Sequence, residues 1–128
     1  MASEWLDNTP IEIPFYCLCL TPEDYRAKCA HLGIKDEEVG SFLPDASADA
    51  ATHHFVDGRK RTCIVTLRRG TERTPIQIAC LLVHEAVHIW QAVEDKMGTT
   101  GGEFEAYHIQ AISQNLMVSY VEQTTENA

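Results

Sequence analysis

Basic residues are scarce in this chain: ten lysines and arginines stand against nineteen aspartates and glutamates in 128 residues, giving a net charge of -9 and a pI near 5.0. That balance argues against a general nucleic-acid binder or a protein held on anionic membranes. The five cysteines, Cys17, Cys19, Cys29, Cys63 and Cys80, are odd in number and contain no C-x-x-C spacing. A disulfide framework is therefore not expected, whereas reduced, mostly buried thiols in a cytoplasmic protein are. Met1 to Asp7 lacks a basic region followed by an apolar core, so no secretory signal is expected, and no apolar run is expected to reach the ~20 residues that span a bilayer. The length allows one domain, residues 1–128, with a single modest core and a shallow cleft.

Against these absences stands His84-Glu85-Ala86-Val87-His88, an H-E-x-x-H inside an apolar stretch. Two histidines four residues apart on a helix lie on one face about one turn apart, so both imidazoles reach a single metal ion. Neutral imidazole suits zinc, and a carboxylate beside the first histidine is positioned to take a proton from water activated by the metal. Glu85 is that carboxylate. The motif needs a helix, and Thr74 as N-cap, Pro75 at the first helical position and Gln77 three residues after the cap supply its start. From Ile76 to Val93 the stretch is apolar nearly all round, which predicts a buried helix. Buried histidines and a buried glutamate are costly without partners, and a metal satisfies all three.

Upstream, residues 1–13 read as an extended arm, and Phe15 to Leu20 as a first strand opened by Pro14. Thr21-Pro22-Glu23-Asp24 opens a helix with Tyr25, Cys29 and Leu32 on one stripe, ending at Gly33. Ile34 to Ala51 reads as a loop with one short helical turn. Thr52 to Val56, an Asp57-Gly58 turn and Arg59 to Leu67 predict a hairpin, and its Cys63-Ile64-Val65-Thr66-Leu67 strand is expected to offer backbone groups to an extended substrate. Six of the ten basic residues fall between Arg59 and Arg73, either a solvated hairpin rim or a local field that steers an acidic substrate. After a glycine-bearing reversal, a last helix is predicted from Glu103 to about Val121, burying Phe104, Ala106, Tyr107, Ala111, Ile112, Leu116 and Met117 and packing antiparallel to the motif helix.

A catalytic zinc needs a third protein ligand and an open fourth position. Glu103, Glu105 and His108 are the candidates; the two glutamates lie about 200° apart around a helix, so they cannot both face the metal. Here the chain resembles the gluzincin metallopeptidases, the thermolysin-like group in which H-E-x-x-H is followed on a second helix by E-x-x-[Ala/Ser]-[Asp/Asn]. Glu103-Phe104-Glu105-Ala106 matches that register, so the resemblance implies Glu103 as third ligand. It covers about residues 74 to 120, and the chain is also similar to short H-E-x-x-H proteins often carried by phages and prophages. The chain departs from the pattern at Tyr107, where the family has an acidic or amide residue. Its hydroxyl is read as a partner of the first histidine or as a donor to a developing oxyanion, with a buried aromatic as the plain alternative. The family also adds a histidine or tyrosine from elsewhere, for which His53, His54 and His108 are available.

The fold class expected is α+β, a minimal zincin-like domain with a small antiparallel-containing sheet and hairpin packed on the motif helix and a C-terminal ligand helix. The function expected is a zinc metallopeptidase acting on a peptide or protein substrate. His84, His88 and Glu103 would hold Zn2+, Glu85 would be general base and Tyr107 a second catalytic group. No nucleic-acid or membrane partner is expected. The rival expectation is a non-catalytic binding or regulatory protein on the same scaffold with a structural zinc.

Overall fold

The computed structural model describes residues 3–6, 14–57, 60–70, 72–97 and 102–125. Strand β1 spans Phe15–Cys19, helix α1 Pro22–His31, strand β2 Ala50–Asp57, strand β3 Lys60–Leu67, helix α2 Pro75–Met97 and helix α3 Gly102–Thr125, with a 3-10 turn at Asp36–Glu38. The architecture is α+β: three helices and a three-stranded mixed sheet in the order β1-β3-β2. β1 runs parallel to β3 and β2 antiparallel to it.

The local signals act where the residues put them. Thr74 and Gln77 form a reciprocal box at the start of α2, Gln77 N donating to Thr74 Oγ1 at 3.2 Å and Thr74 N to Gln77 Oε1 at 2.9 Å. Thr21 Oγ1 likewise accepts from Asp24 N, and α1 gives way to Gly33 at φ +81, where a side chain would be strained. The loop after α1 holds the one short helical turn expected of it. Asp57 pairs with Lys60, closing the hairpin; the turn residues Gly58 and Arg59, most of the N-terminal arm and the reversal before α3 lie outside the described residues.

Strand alternation divides the chain into two packed layers. Tyr16, Leu18, Cys63, Val65 and Leu67 face α2 and α3, meeting Leu82, Ala86, Ile89, Trp90, Ile112 and Leu116. Cys17, Cys19 and Ile64 face the other way, onto Tyr25 and Cys29 of α1. All five cysteines are free, and only Cys80 is exposed.

Four expectations are corrected. The Cys63–Leu67 strand is the middle of the sheet, hydrogen-bonded on both sides, so it has no edge to offer a substrate; among the described residues the strand beside α2 with an open edge is β2. α2 is not buried all round: Ile78, Leu82, Ala86, Ile89, Trp90 and Val93 form an inward stripe, whereas Ile76 and Val83 are exposed, because a sheet of three strands covers only one side of a helix. By length and hydropathy residues 75–95 also qualify as a membrane-crossing stretch, contrary to expectation, although this helix is the one packed on the sheet. Finally, α3 buries Ile112 and Leu116 but leaves Phe104, Ala106, Tyr107 and Ala111 exposed, since among the described residues its early turns meet α2 alone, through Trp90, and β1 is met only by its later turns. There Asn115 Nδ2 donates to the Tyr16 hydroxyl at 2.8 Å and Gln123 Nε2 to the Leu18 carbonyl at 2.9 Å.

Candidate metal and catalytic site

The motif occupies the middle of α2, and the i, i+4 spacing brings its two histidines together. His84 Nε2 and His88 Nε2 are 3.3 Å apart, on the side of the helix away from the core. Gln91, one turn beyond, offers Oε1 to His88 Nδ1 at 2.9 Å. An amide oxygen only accepts, so His88 carries its proton on Nδ1 and turns the lone pair of Nε2 toward His84. Two nitrogens about 2.0–2.1 Å from a tetrahedral zinc stand about 3.3–3.4 Å apart, so the imidazole pair fits one edge of such a site. A neutral imidazole oriented through its other nitrogen is also the usual form of a metal ligand.

Glu85, about 100° around the helix from His84, turns toward the sheet, lines the same groove as His84 and is 3% exposed. Its carboxylate accepts from Thr52 Oγ1 at 2.8 Å, and the same hydroxyl lies 3.4 Å from the Glu85 carbonyl. The edge strand and the motif helix are thus joined at the residue expected to act as base. The expectation that all three motif side chains are buried holds for Glu85 alone: His84 is exposed and His88 half-buried.

A second contact fixes how β2 lies along α2. Arg61, opposite Val56 in the hairpin, reaches Asp95 at 3.5 Å. Four strand residues from Thr52 to Val56 cover about 13 Å and ten helical residues from Glu85 to Asp95 about 15 Å, so strand and helix advance side by side. His54 shares the Thr52 face and falls beside His88. Partial desolvation by the surrounding protein holds its imidazole below the ordinary value, with His88 and Arg61 acting in the same sense. Its Nδ1 lies 3.4 Å from Cys63 Sγ, and burial pushes the Cys63 thiol up to about 12.

The other candidates are dispersed. His53 sits on the opposite face of the sheet against Tyr25, Phe42 and Thr66. His108 stacks on Trp90, ring centroids 5.2 Å apart, and gives its Nδ1 proton to the Phe104 carbonyl. Glu105 lies against Glu94, and desolvation together with that neighbour raises its pKa. Glu103 is exposed in the first turn of α3. Tyr107 is 65% exposed and its hydroxyl makes no hydrogen bond among the described residues, which removes the buried-aromatic alternative and leaves its bond to His84 unmade. Among the described residues no three His, Cys, Asp or Glu side chains converge as a metal cage.

Thr52, His54 and Gln91 are not marked by the motif itself, yet each carries a signal. Gln91 is one helical turn past His88, and Thr52 and His54 alternate onto one face once the strand is recognised. The basic run also resolves: Arg61 pairs with Asp95, while Arg68 and Arg73 gather on Asp49 at the opposite end of β2. Between those arginines and the motif lies an open groove of about 450 Å³, bordered by Ile76, Cys80 and Leu81 and reaching His84 and Glu85. No family model matches the chain, and no curated protein and no solved structure matches it.

Proposed function

We propose that this chain is a small zinc-dependent hydrolase of the metallopeptidase type, cleaving an amide bond of a peptide or protein substrate. The observation that carries the reading is the 3.3 Å approach of His84 Nε2 and His88 Nε2, with the carboxylate of the adjacent Glu85 held by the edge strand. His84 and His88 would hold the zinc, with Glu103 of α3 as the third ligand that the gluzincin resemblance implies. Zinc bound there supplies Lewis acidity, acidifying water and polarising a carbonyl.

The chain's own residues do the rest. Glu85 takes a proton from the attacking water and returns it to the leaving amine, and the Thr52 hydroxyl orients its carboxylate for both transfers. Gln91 keeps His88 in the tautomer that leaves Nε2 free. The open edge of β2 binds the substrate backbone by strand addition, replacing the β3 edge first expected. For a donor to the developing oxyanion, His54, on the strand beside His88, supports the role better than the solvent-facing Tyr107. The five free thiols support a reducing, cytoplasmic setting.

A second reading, a binding or regulatory protein with a structural metal, is favoured by the lack of a converged third ligand among the described residues. Zinc content and peptide hydrolysis, measured together on wild type, His84→Ala and Glu85→Gln, separate the two. The hydrolase reading expects about one zinc per wild-type chain, its loss in His84→Ala, and a zinc-loaded Glu85→Gln whose turnover has fallen by about 10²- to 10⁴-fold. Zinc-loaded wild type inert toward a broad peptide mixture selects the binding reading.

A further inference from the structure

The groove beside the motif ends in an unbalanced pair of arginines. Arg73 Nη2 donates to Asp49 Oδ2, and Arg68 Nε stands 3.8 Å from Asp49 Oδ1. One carboxylate therefore faces two guanidiniums, and Glu72, next in the chain, makes no ion pair with either among the described residues. Arg68 is committed to structure through the Ala46 and Ala48 carbonyls. Arg73 has only Asp49: it lines the groove, and its buried Nε–H has no acceptor among the described residues. The N-terminus of α2 opens at the same place, with no acidic residue in its first turn to meet the positive end of the helix dipole. In a chain of net charge -9, these groups make a local positive site at one end of the groove, with His84 at the other.

We propose that this end of the groove recognises a carboxylate on the substrate, with Arg73 as the specificity residue. The proposal rests on the hydrolase reading above and names the substrate class of that site. From His84 back to Gln77 is seven helical residues, about 10 Å, and an extended peptide advances about 3.3 Å per residue. A carboxylate held by Arg73 therefore sits about three residues from the bond at the histidine pair. It comes either from an Asp or Glu side chain or from the substrate's own C-terminus, since a guanidinium fork takes both alike.

The test uses zinc-loaded full-length protein and matched peptides that differ only in the group at that distance: Asp or Glu, Asn or Gln, a C-terminal carboxylate, or a C-terminal amide. Wild type is expected to prefer carboxylate over amide by about tenfold in kcat/KM, mostly through KM, and the arm that carries the preference identifies its source. In Arg73→Gln the acid-to-amide ratio collapses toward one. In Asp49→Asn, which frees Arg73 of its internal partner, the ratio rises. A merely structural clamp between Arg73 and Asp49 predicts the same direction for both variants. Equal cleavage of acid and amide peptides by wild type, or a preference retained in Arg73→Gln, overturns the proposal. If no peptide is cleaved, the hydrolase reading has failed, and calorimetric binding of the same peptides decides this one by the same ratio.

Discussion

His53 and His54 are neighbours on β2 and face opposite sides of the sheet, because successive strand residues alternate. His53 lies under α1 and the loop before β2, where Nε2 meets the Phe42 carbonyl at 3.0 Å and Thr66 Oγ1 at 3.1 Å, and Nδ1 meets the Tyr25 hydroxyl at 3.3 Å. Among the described residues His54 has Cys63 Sγ alone, at 3.4 Å, and is exposed. The same contrast separates the two faces. On the α1 side the polar groups hold one another and seal the layer. On the α2 side the helix covers the middle of the sheet but leaves a groove beside the start of β2, bordered by His84 and Glu85, and His88 and His54 lie further along α2 and β2. Polar groups with free capacity at the edge of a packed layer are where chemistry on a substrate can be done.

The largest way to disturb this contrast is to remove the support of the open face. Trp90 is fully buried beneath the motif, and Trp90→Ala is expected to cost about 3–5 kcal/mol in denaturant unfolding. A loss below about 1 kcal/mol would mean that α2 is not anchored there.

A sharper comparison sets the two histidines against each other. His53→Ala leaves the Tyr25 hydroxyl without its imidazole and opens a space under α1, for an expected loss of about 2–3 kcal/mol. His54→Ala gives up one weak contact at an exposed position and is expected to stay within about 0.5 kcal/mol. Similar costs for the two would erase the distinction between sealed and open faces.

The smallest effect is one of pH. Burial lowers the His53 pKa from its ordinary 6.5, outweighing the Phe42 carbonyl and Glu85, which act the other way. The unfolded chain therefore takes up the proton more readily than the folded one. Its contribution to stability is complete above the ordinary value and declines as pH falls below 6.5 toward the folded pKa. Unfolding followed with chelator present from about pH 7.5 to about pH 5 should show this decline, and His53→Ala should flatten it. An unchanged slope in the variant would place the responsible group elsewhere.

Much of this is legible in the residue order because it depends on neighbours along the chain. The capping box of Thr74 and Gln77, the Thr21 cap and the convergence of His84 and His88 need only a helix and its i, i+3 or i, i+4 contacts. The hairpin is legible from alternation and its turn dipeptide. Which strand forms the edge is not, because the parallel pairing of β1 with β3 joins segments more than forty residues apart and carries no local mark. Nor is the burial of α3 legible: Phe104 is as apolar as Ile112 and Leu116, and only the positions of α2 and β1 decide which turns are covered.

The helices, the α+β class and the paired imidazoles with a glutamate beside them follow from the residue order, since each needs only backbone geometry within a few residues. Packing in three dimensions is what sets Glu85 against Thr52, turns His54 rather than His53 to the α2 side of the sheet, and gathers Asp49, Arg68 and Arg73 at the end of the groove. Those contacts lie 19 to 33 residues apart in the chain. They form only when β2 closes the sheet and α2 lies across it, and that closure is a property of the whole packed core.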